Sequence, residues 1–291
     1  MVAPQAGLAT LALTFNAFTW GVSWWPFRWL QERGLHALWA TVMIYAVAVV
    51  LIGVWRPQAW GHLWRTRSLW WIVLAAGATN AAFNTAVTIG DVVRVVLLFY
   101  VMPLWAVLLA RVLLGERLTF LAAVRVVLAL TGAAIVLWPS DGSAWPVPTS
   151  TGEILALAGG FSFALNNVML RREAHQPNSA RALAMFAGGA GVSLLAALWL
   201  GVAGTVPWPP APAPGWLAGL LGLAMVFLLS NLALQYGSAR LPANATAVVM
   251  VSEVLFAAVS AVALGAGVVS WPLAVGGMLI LSASLLAAWR R

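Results

Sequence analysis

Long apolar runs, separated by short polar or proline-bearing breaks, fill this chain. Ten of them reach the roughly 20 residues that an α-helix needs to cross a bilayer. They fall at about 6–30, 34–55, 67–89, 92–114, 119–138, 151–171, 180–202, 214–237, 242–264 and 271–289. The breaks carry turn chemistry: Arg56-Pro57-Gln58, Gly115-Glu116-Arg117, Trp138-Pro139-Ser140-Asp141-Gly142, His175-Gln176-Pro177-Asn178 and the proline-rich stretch 207–214. Runs three and four, and eight and nine, are joined so briefly that each pair must be a tight antiparallel hairpin. The pattern predicts an all-α integral membrane protein of ten transmembrane helices. The first run lacks a basic leader and a small-residue cleavage site, so it reads as a retained span and not a signal peptide.

Composition agrees. Hydrophobic residues make up 63% and charged residues 8% of 291, against roughly 25% charged in soluble proteins. Mean hydropathy is +0.95. A soluble enzyme, a disordered chain and a disulfide scaffold are excluded. The net charge of +8 comes from arginines alone, since there is no lysine. They are scattered between apolar runs and form no basic stripe, so no nucleic-acid partner is expected. Cysteine is absent.

Arginine placement orients the spans. With a cytoplasmic N-terminus, twelve of the fifteen fall on the cytoplasmic side, and only Arg28, Arg33 and Arg94 fall on the other. An even span number then puts both termini in the cytoplasm. Most of the eighteen tryptophans, Trp24, Trp55, Trp64, Trp138 and Trp271 among them, sit near span ends, as an aromatic belt requires.

The midpoint is polar and proline-bearing. Laying residues 80–138 over 231–289 pairs Asn80 with Asn231, Leu104 with Leu255, Thr119 with Ser270 and Trp138 with Trp289. The short hairpins fall in register. The expected organisation is one five-helix repeat over 1–140, a periplasmic linker over 141–150 and a second repeat over 151–291. Five is odd, so the halves must be inverted, an arrangement that puts a transporter's site near the midplane.

Several short motifs now bear on identity: Asn16-Ala-Phe-Thr-Trp-Gly-Val-Ser23, Pro103-Leu-Trp-Ala, Leu114-Gly-Glu-Arg-Leu-Thr119 and Ser252-Glu-Val-Leu-Phe256. With ten spans in two halves, the chain resembles the EamA-type exporters of the drug/metabolite transporter superfamily over essentially its whole length. Within that superfamily it is most like the aromatic amino acid exporters. The second half departs from the turn motif, because Ala266-Gly267-Val268-Val269-Ser270 lacks the acid and the base. The resemblance implies export of amino acids and related metabolites from the bacterial inner membrane.

The chemistry within the spans is sparse. No catalytic cluster, metal-ligand spacing or Walker motif is present, so no enzyme activity, metal, cofactor or ATP drive is expected. Asn80, Asn84 and Thr88 recur on one face of the third span. Asn231 and Gln235, with Tyr236 beside them, repeat that pattern on the eighth. The first span offers Asn16, Trp20 and Ser23; the sixth offers Phe163, Asn166 and Asn167; the fourth offers Tyr100. These are the candidate substrate-binding residues, and hydrogen-bonded glue between helices is the competing role for each amide. Glu253 is the one acid at a span centre, where a charge costs at least about 2.5–3.5 kcal/mol. Glu253, Pro103 and Glu116 are the candidates for coupling or gating. Pro103 should free the carbonyl near Phe99 and kink the fourth span.

The reading is therefore an inner-membrane amino acid exporter working by alternating access, its partners being a small-molecule substrate and the lipid bilayer. The alternatives are a multidrug or lipophilic-cation exporter of the same architecture, and a passive channel.

Overall fold

A computed structural model describes residues 3–115, 119–138, 147–238, 240 and 243–288. Among them the fold is wholly helical: α1 (Ala3–Val22), α2 (Trp24–Glu32), α3 (Ala37–Trp55), α4 (Gln58–Arg65), α5 (Leu69–Ile89), α6 (Val92–Phe99), α7 (Met102–Leu114), α8 (Phe120–Leu137), α9 (Thr151–Arg172), α10 (Asn178–Val202), α11 (Pro214–Ser238), α12 (Ala243–Ala263) and α13 (Trp271–Ala288).

Seven described helical stretches are long and apolar enough to cross a membrane: Ala37–Trp55, Leu69–Ile89, Val92–Leu114, Phe120–Leu137, Thr151–Arg172, Asn178–Val202 and Pro214–Leu234. Val249–Ala263 and Trp271–Ala283 are shorter apolar stretches. Apolar side chains cover the outside, with Phe120 87% and Val112 79% exposed. Such a surface is stable against lipid and not against water.

Two of the expected spans are broken, each by a proline. Pro26 has no N–H to give the carbonyl of Val22, and α1 ends there. Pro103 likewise leaves Phe99 without its donor, and α6 ends at Phe99 before α7 resumes at Met102. The α6–α7 break is the kink expected at Pro103; the α1–α2 break departs from the expected continuous first span. Between α3 and α5 the structure adds the short helix α4, which is too small to register as a span.

Caps set several ends. Asp91 accepts from the Arg94 N–H at 2.8 Å and starts α6. Thr119 accepts from Ala122 N–H at 3.2 Å and starts α8. Ser150 and Glu153 form a reciprocal capping box at the start of α9. Gly115 ends α7 with φ +68°, a left-handed conformation that favours glycine.

α5 packs on α9 and α10, α8 on α13, α1 on α11 and α12, and α3 on α10. Small residues permit these crossings. A Cβ on Gly132 would lie 2.6 Å from the Gly276 carbonyl oxygen, and one on Gly276 would lie 2.7 Å from the Gly132 carbonyl oxygen. Backbone therefore meets backbone where α8 crosses α13. Not every tryptophan joins the belt. Trp24 is 3% exposed, and its indole N–H donates to Ser260 Oγ at 2.9 Å.

Candidate functional site

The break between α6 and α7 places Tyr100 at the C-terminal cap of α6. Its hydroxyl donates to Glu253 Oε2 on α12 at 2.9 Å. Glu253 is half-buried, and no ion pair reaches it among the described residues. α1 also comes close: a Cβ on Gly21 would lie 2.6 Å from the Glu253 carbonyl oxygen. An acid at span depth is thus held by a phenol at the meeting point of three helices.

Rings gather beside this pair. Phe99 stacks on Phe83 at 4.7 Å and on Phe163 at 5.4 Å, and lies 6.1 Å from the Tyr100 ring. A second aromatic group centres on Phe227 of α11. Trp20 lies 4.7 Å from it, Phe27 6.2 Å and Tyr45 6.4 Å. Trp20 and Phe163 are both half-buried. They also fall in α1 and α9, helices that pack on α12 and on α6–α7 respectively.

The amides separate into distinct environments. Asn80 is half-buried and accepts a short hydrogen bond from the Tyr45 hydroxyl, while its own N–H donates to the Ala76 carbonyl at 2.7 Å. Asn84 is fully buried and donates to Thr41 Oγ1 at 3.0 Å. Thr41 spends its hydroxyl proton on the Ala37 carbonyl at 2.8 Å. It can only accept from Asn84, which fixes that amide's orientation. Asn16 donates to Ser230 Oγ at 2.7 Å and to its carbonyl at 2.9 Å, joining α1 to α11. Asn16 and Asn84 are thus engaged as interhelical ties. Their Oδ1 atoms, and that of buried Asn166, have no hydrogen-bond partner among the described residues.

Ser23 is buried and back-bonds to the Trp20 carbonyl at 2.8 Å, at the α1–α2 break. Asn167 is exposed. Asn231 is half-buried on α11, and so is Tyr236, whose ring lies 3.7 Å under the Arg240 guanidinium. Glu116 and the side chains of Gln235 and Pro103 lie outside the described residues.

Sequence reasoning missed Tyr45, Thr41, Ser230 and Phe227, which partner the candidates. Tyr45 carried a signal, as a hydroxylated ring in the middle of a span. Phe227 carried none, since one more apolar residue in an apolar run is silent.

At one end of the bundle, Arg94 Nε lies 2.6 Å from Glu153 Oε1. Glu153 Oε2 also accepts from Thr149 N–H at 2.8 Å and Ser150 N–H at 3.3 Å. Arg28 donates through Nε to the Val87 carbonyl at 3.0 Å and through its terminal nitrogen to the Gly90 carbonyl. A cavity of about 470 Å³ opens here between the α5–α6 turn and the start of α9. Among the described residues no group of three or more His, Cys, Asp or Glu could hold a metal ion.

Residues 7–138 match the EamA-like transporter family. No curated protein matches the sequence. A solved structure presented as "Crystal structure of protein" is similar at 18% identity over 96% of each chain, with a TM-score of 0.55; that likeness shows the fold alone. Helices of membrane-crossing length and an apolar outer surface agree with that match, and the first half of this chain is similar to EamA-like transporters.

Proposed function

We propose that this chain exports amino acids, including aromatic ones, across the bacterial inner membrane by alternating access, with both termini cytoplasmic. Its ten spans are α1–α2, α3, α5, α6–α7 and α8 in a repeat over 1–140, then α9 to α13 in a repeat over 151–291, joined by 141–150.

Helix packing supports the two repeats. Exchanging the first five spans for the last five carries the α5–α9 contact onto α11–α1, and α9 against α6–α7 onto α1 against α12. The α3–α10 and α8–α13 contacts map onto themselves. Close crossings correspond too. Gly21 lies on the Glu253 carbonyl, and Gly160 lies on the Phe99 carbonyl. Gly90 meets Gly152, and Gly237 meets Leu13. Asn84 and Asn231 each stand six residues before the α5 or α11 glycine of these crossings, which favours Asn84 over Asn80 as the mate of Asn231.

The observation that carries the substrate reading is the Tyr100–Glu253 hydrogen bond beside the Phe99 and Phe163 rings. A carboxylate suits a substrate ammonium, and neighbouring rings suit an apolar or aromatic side chain. Trp20, Asn80, Tyr100, Phe163 and Glu253 are the proposed core of the site. Ser23, Asn16, Asn84, Asn166, Asn167, Asn231, Gln235 and Tyr236 flank it, and Pro103 and Glu116 serve gating. The motif resemblance to the aromatic amino acid exporter YddG supports the same reading.

A carboxylate among rings, with no ion pair among the described residues, also suits a lipophilic cation, so a cation exporter of this architecture is the second reading. Purified protein in liposomes separates them: labelled phenylalanine should move, and a quaternary ammonium compound should neither move nor compete.

A further inference from the structure

The short helix α4 does no work in the site above, yet its surroundings are distinctive. It has eight residues and joins two membrane-crossing helices. The chain enters it just after Trp55 and leaves it just before Trp70 and Trp71. Its depth is therefore set at the membrane–water boundary. One face is buried: Ala59 and Leu63 pack in a cluster with Leu69, Ile72, Met169 and Leu183. Trp60 lies against α3, where a Cβ on Gly53 would come 2.7 Å from the indole nitrogen. The other face, with Gln58, Gly61, His62, Trp64 and Arg65, is exposed. Trp64 is 65% exposed and its ring lies 5.2 Å from that of Trp70.

Around this face stand Arg56, Arg65 and Arg67, and residues 56–71 contain no Asp or Glu. All three arginines are exposed, and among the described residues none of their guanidinium groups has a hydrogen bond or ion pair. Arg111 and Arg172 are also exposed and without a side-chain partner among the described residues, but five other arginines are satisfied within the chain. Arg28, Arg33, Arg94, Arg181 and Arg240 are each held by a carbonyl, carboxylate or amide oxygen. Guanidinium groups present planar donor forks that match phosphate oxygens. Tryptophan rings prefer the depth of lipid headgroups.

We propose that the outer face of α4 is a docking surface for anionic phospholipid headgroups, with Arg56, Arg65 and Arg67 as the phosphate donors and Trp64 and Trp70 packing at the headgroup level. Each cationic side chain near an anionic bilayer surface strengthens the attraction about fivefold. The surface depends on neither the substrate nor the transport mechanism.

The chain has no cysteine, and a Cβ on Gly61 meets nothing within 4 Å, so Gly61→Cys can carry a fluorophore on this face. The variant is reconstituted in phosphatidylcholine vesicles with a minor fraction of lipid bearing a nitroxide near the glycerol. The nitroxide lipid is either phosphatidylglycerol or phosphatidylcholine. Phosphatidylglycerol should quench at a several-fold lower fraction, and added salt should narrow the gap. Replacing all three arginines by glutamine should merge the two curves. Replacing all three by lysine should keep them apart, which separates loss of charge from damage to the fold. Equal quenching by both lipids in the parent protein overturns the proposal, as does a preference that survives the triple glutamine change.

Discussion

Tyr100 and Glu253, 153 residues apart in sequence, are joined by a 2.9 Å hydrogen bond between the α6 cap and α12. The bond explains how a lone acid is tolerated at span depth, and it gives the two side chains separable roles. Glu253→Gln keeps an oxygen to accept from Tyr100 and removes the charge. It should fold at parental yield and lose most amino acid transport. Glu253→Ala leaves the Tyr100 hydroxyl only the Met250 carbonyl at 3.5 Å and should cost about 1–3 kcal/mol. Yield, melting temperature and liposome flux on the two variants check this, and a glutamine variant with undiminished flux would remove Glu253 from the site.

Asn84 and Thr41 tie α5 to α3 at a fully buried position. Asn84→Ala and Thr41→Val should each destabilise. Their double-mutant cycle should show a coupling of about 0.6–2 kcal/mol. Thermal unfolding in one detergent measures it; additive losses would mean that the bond is not formed.

The α8–α13 crossing makes a steric prediction. Gly132 and Gly276 each leave no room for a Cβ, because the obstacle is the other's backbone carbonyl. Gly132→Val should collapse the yield of folded protein, whereas Gly222→Ala, with nothing within 4 Å of its Cβ, should be near neutral. Size-exclusion profiles of the two proteins decide it.

Orientation can be tested with single cysteines in a cysteine-free chain. A cysteine at Gly61 should be labelled from the cytoplasmic side. One at Ser143, in the linker outside the described residues, should be labelled from the periplasmic side. Labelling of both from one side contradicts the topology.

The sequence exposed the helical class, the positions of most breaks and the polar face of α5. Asn80 and Asn84 lie on one stripe, and both reach the same neighbour, α3, through Tyr45 and Thr41. The stripe is a property of one helix and was legible. The partners depend on how two helices cross, which periodicity within either does not encode. Pro103 announces the α6–α7 break; Pro26 carries the same signal inside the first apolar run, and α1 breaks from α2 there. Trp24 reads as belt by position and is core in fact, because the α1–α2 break and the approach of α12 bring Ser260 to its indole. The α4 helix was invisible because eight residues with one buried face resemble a polar loop.

The central claim is that the aromatic-walled Tyr100–Glu253 centre moves amino acids. Counterflow of labelled phenylalanine by the purified protein in liposomes tests it most directly, with Glu253→Gln as the paired variant and a quaternary ammonium compound as competitor. The expected result is saturable phenylalanine exchange that the variant loses and the cation does not inhibit. Liposomes that exchange the cation but no amino acid, in protein that is folded and inserted, would contradict it.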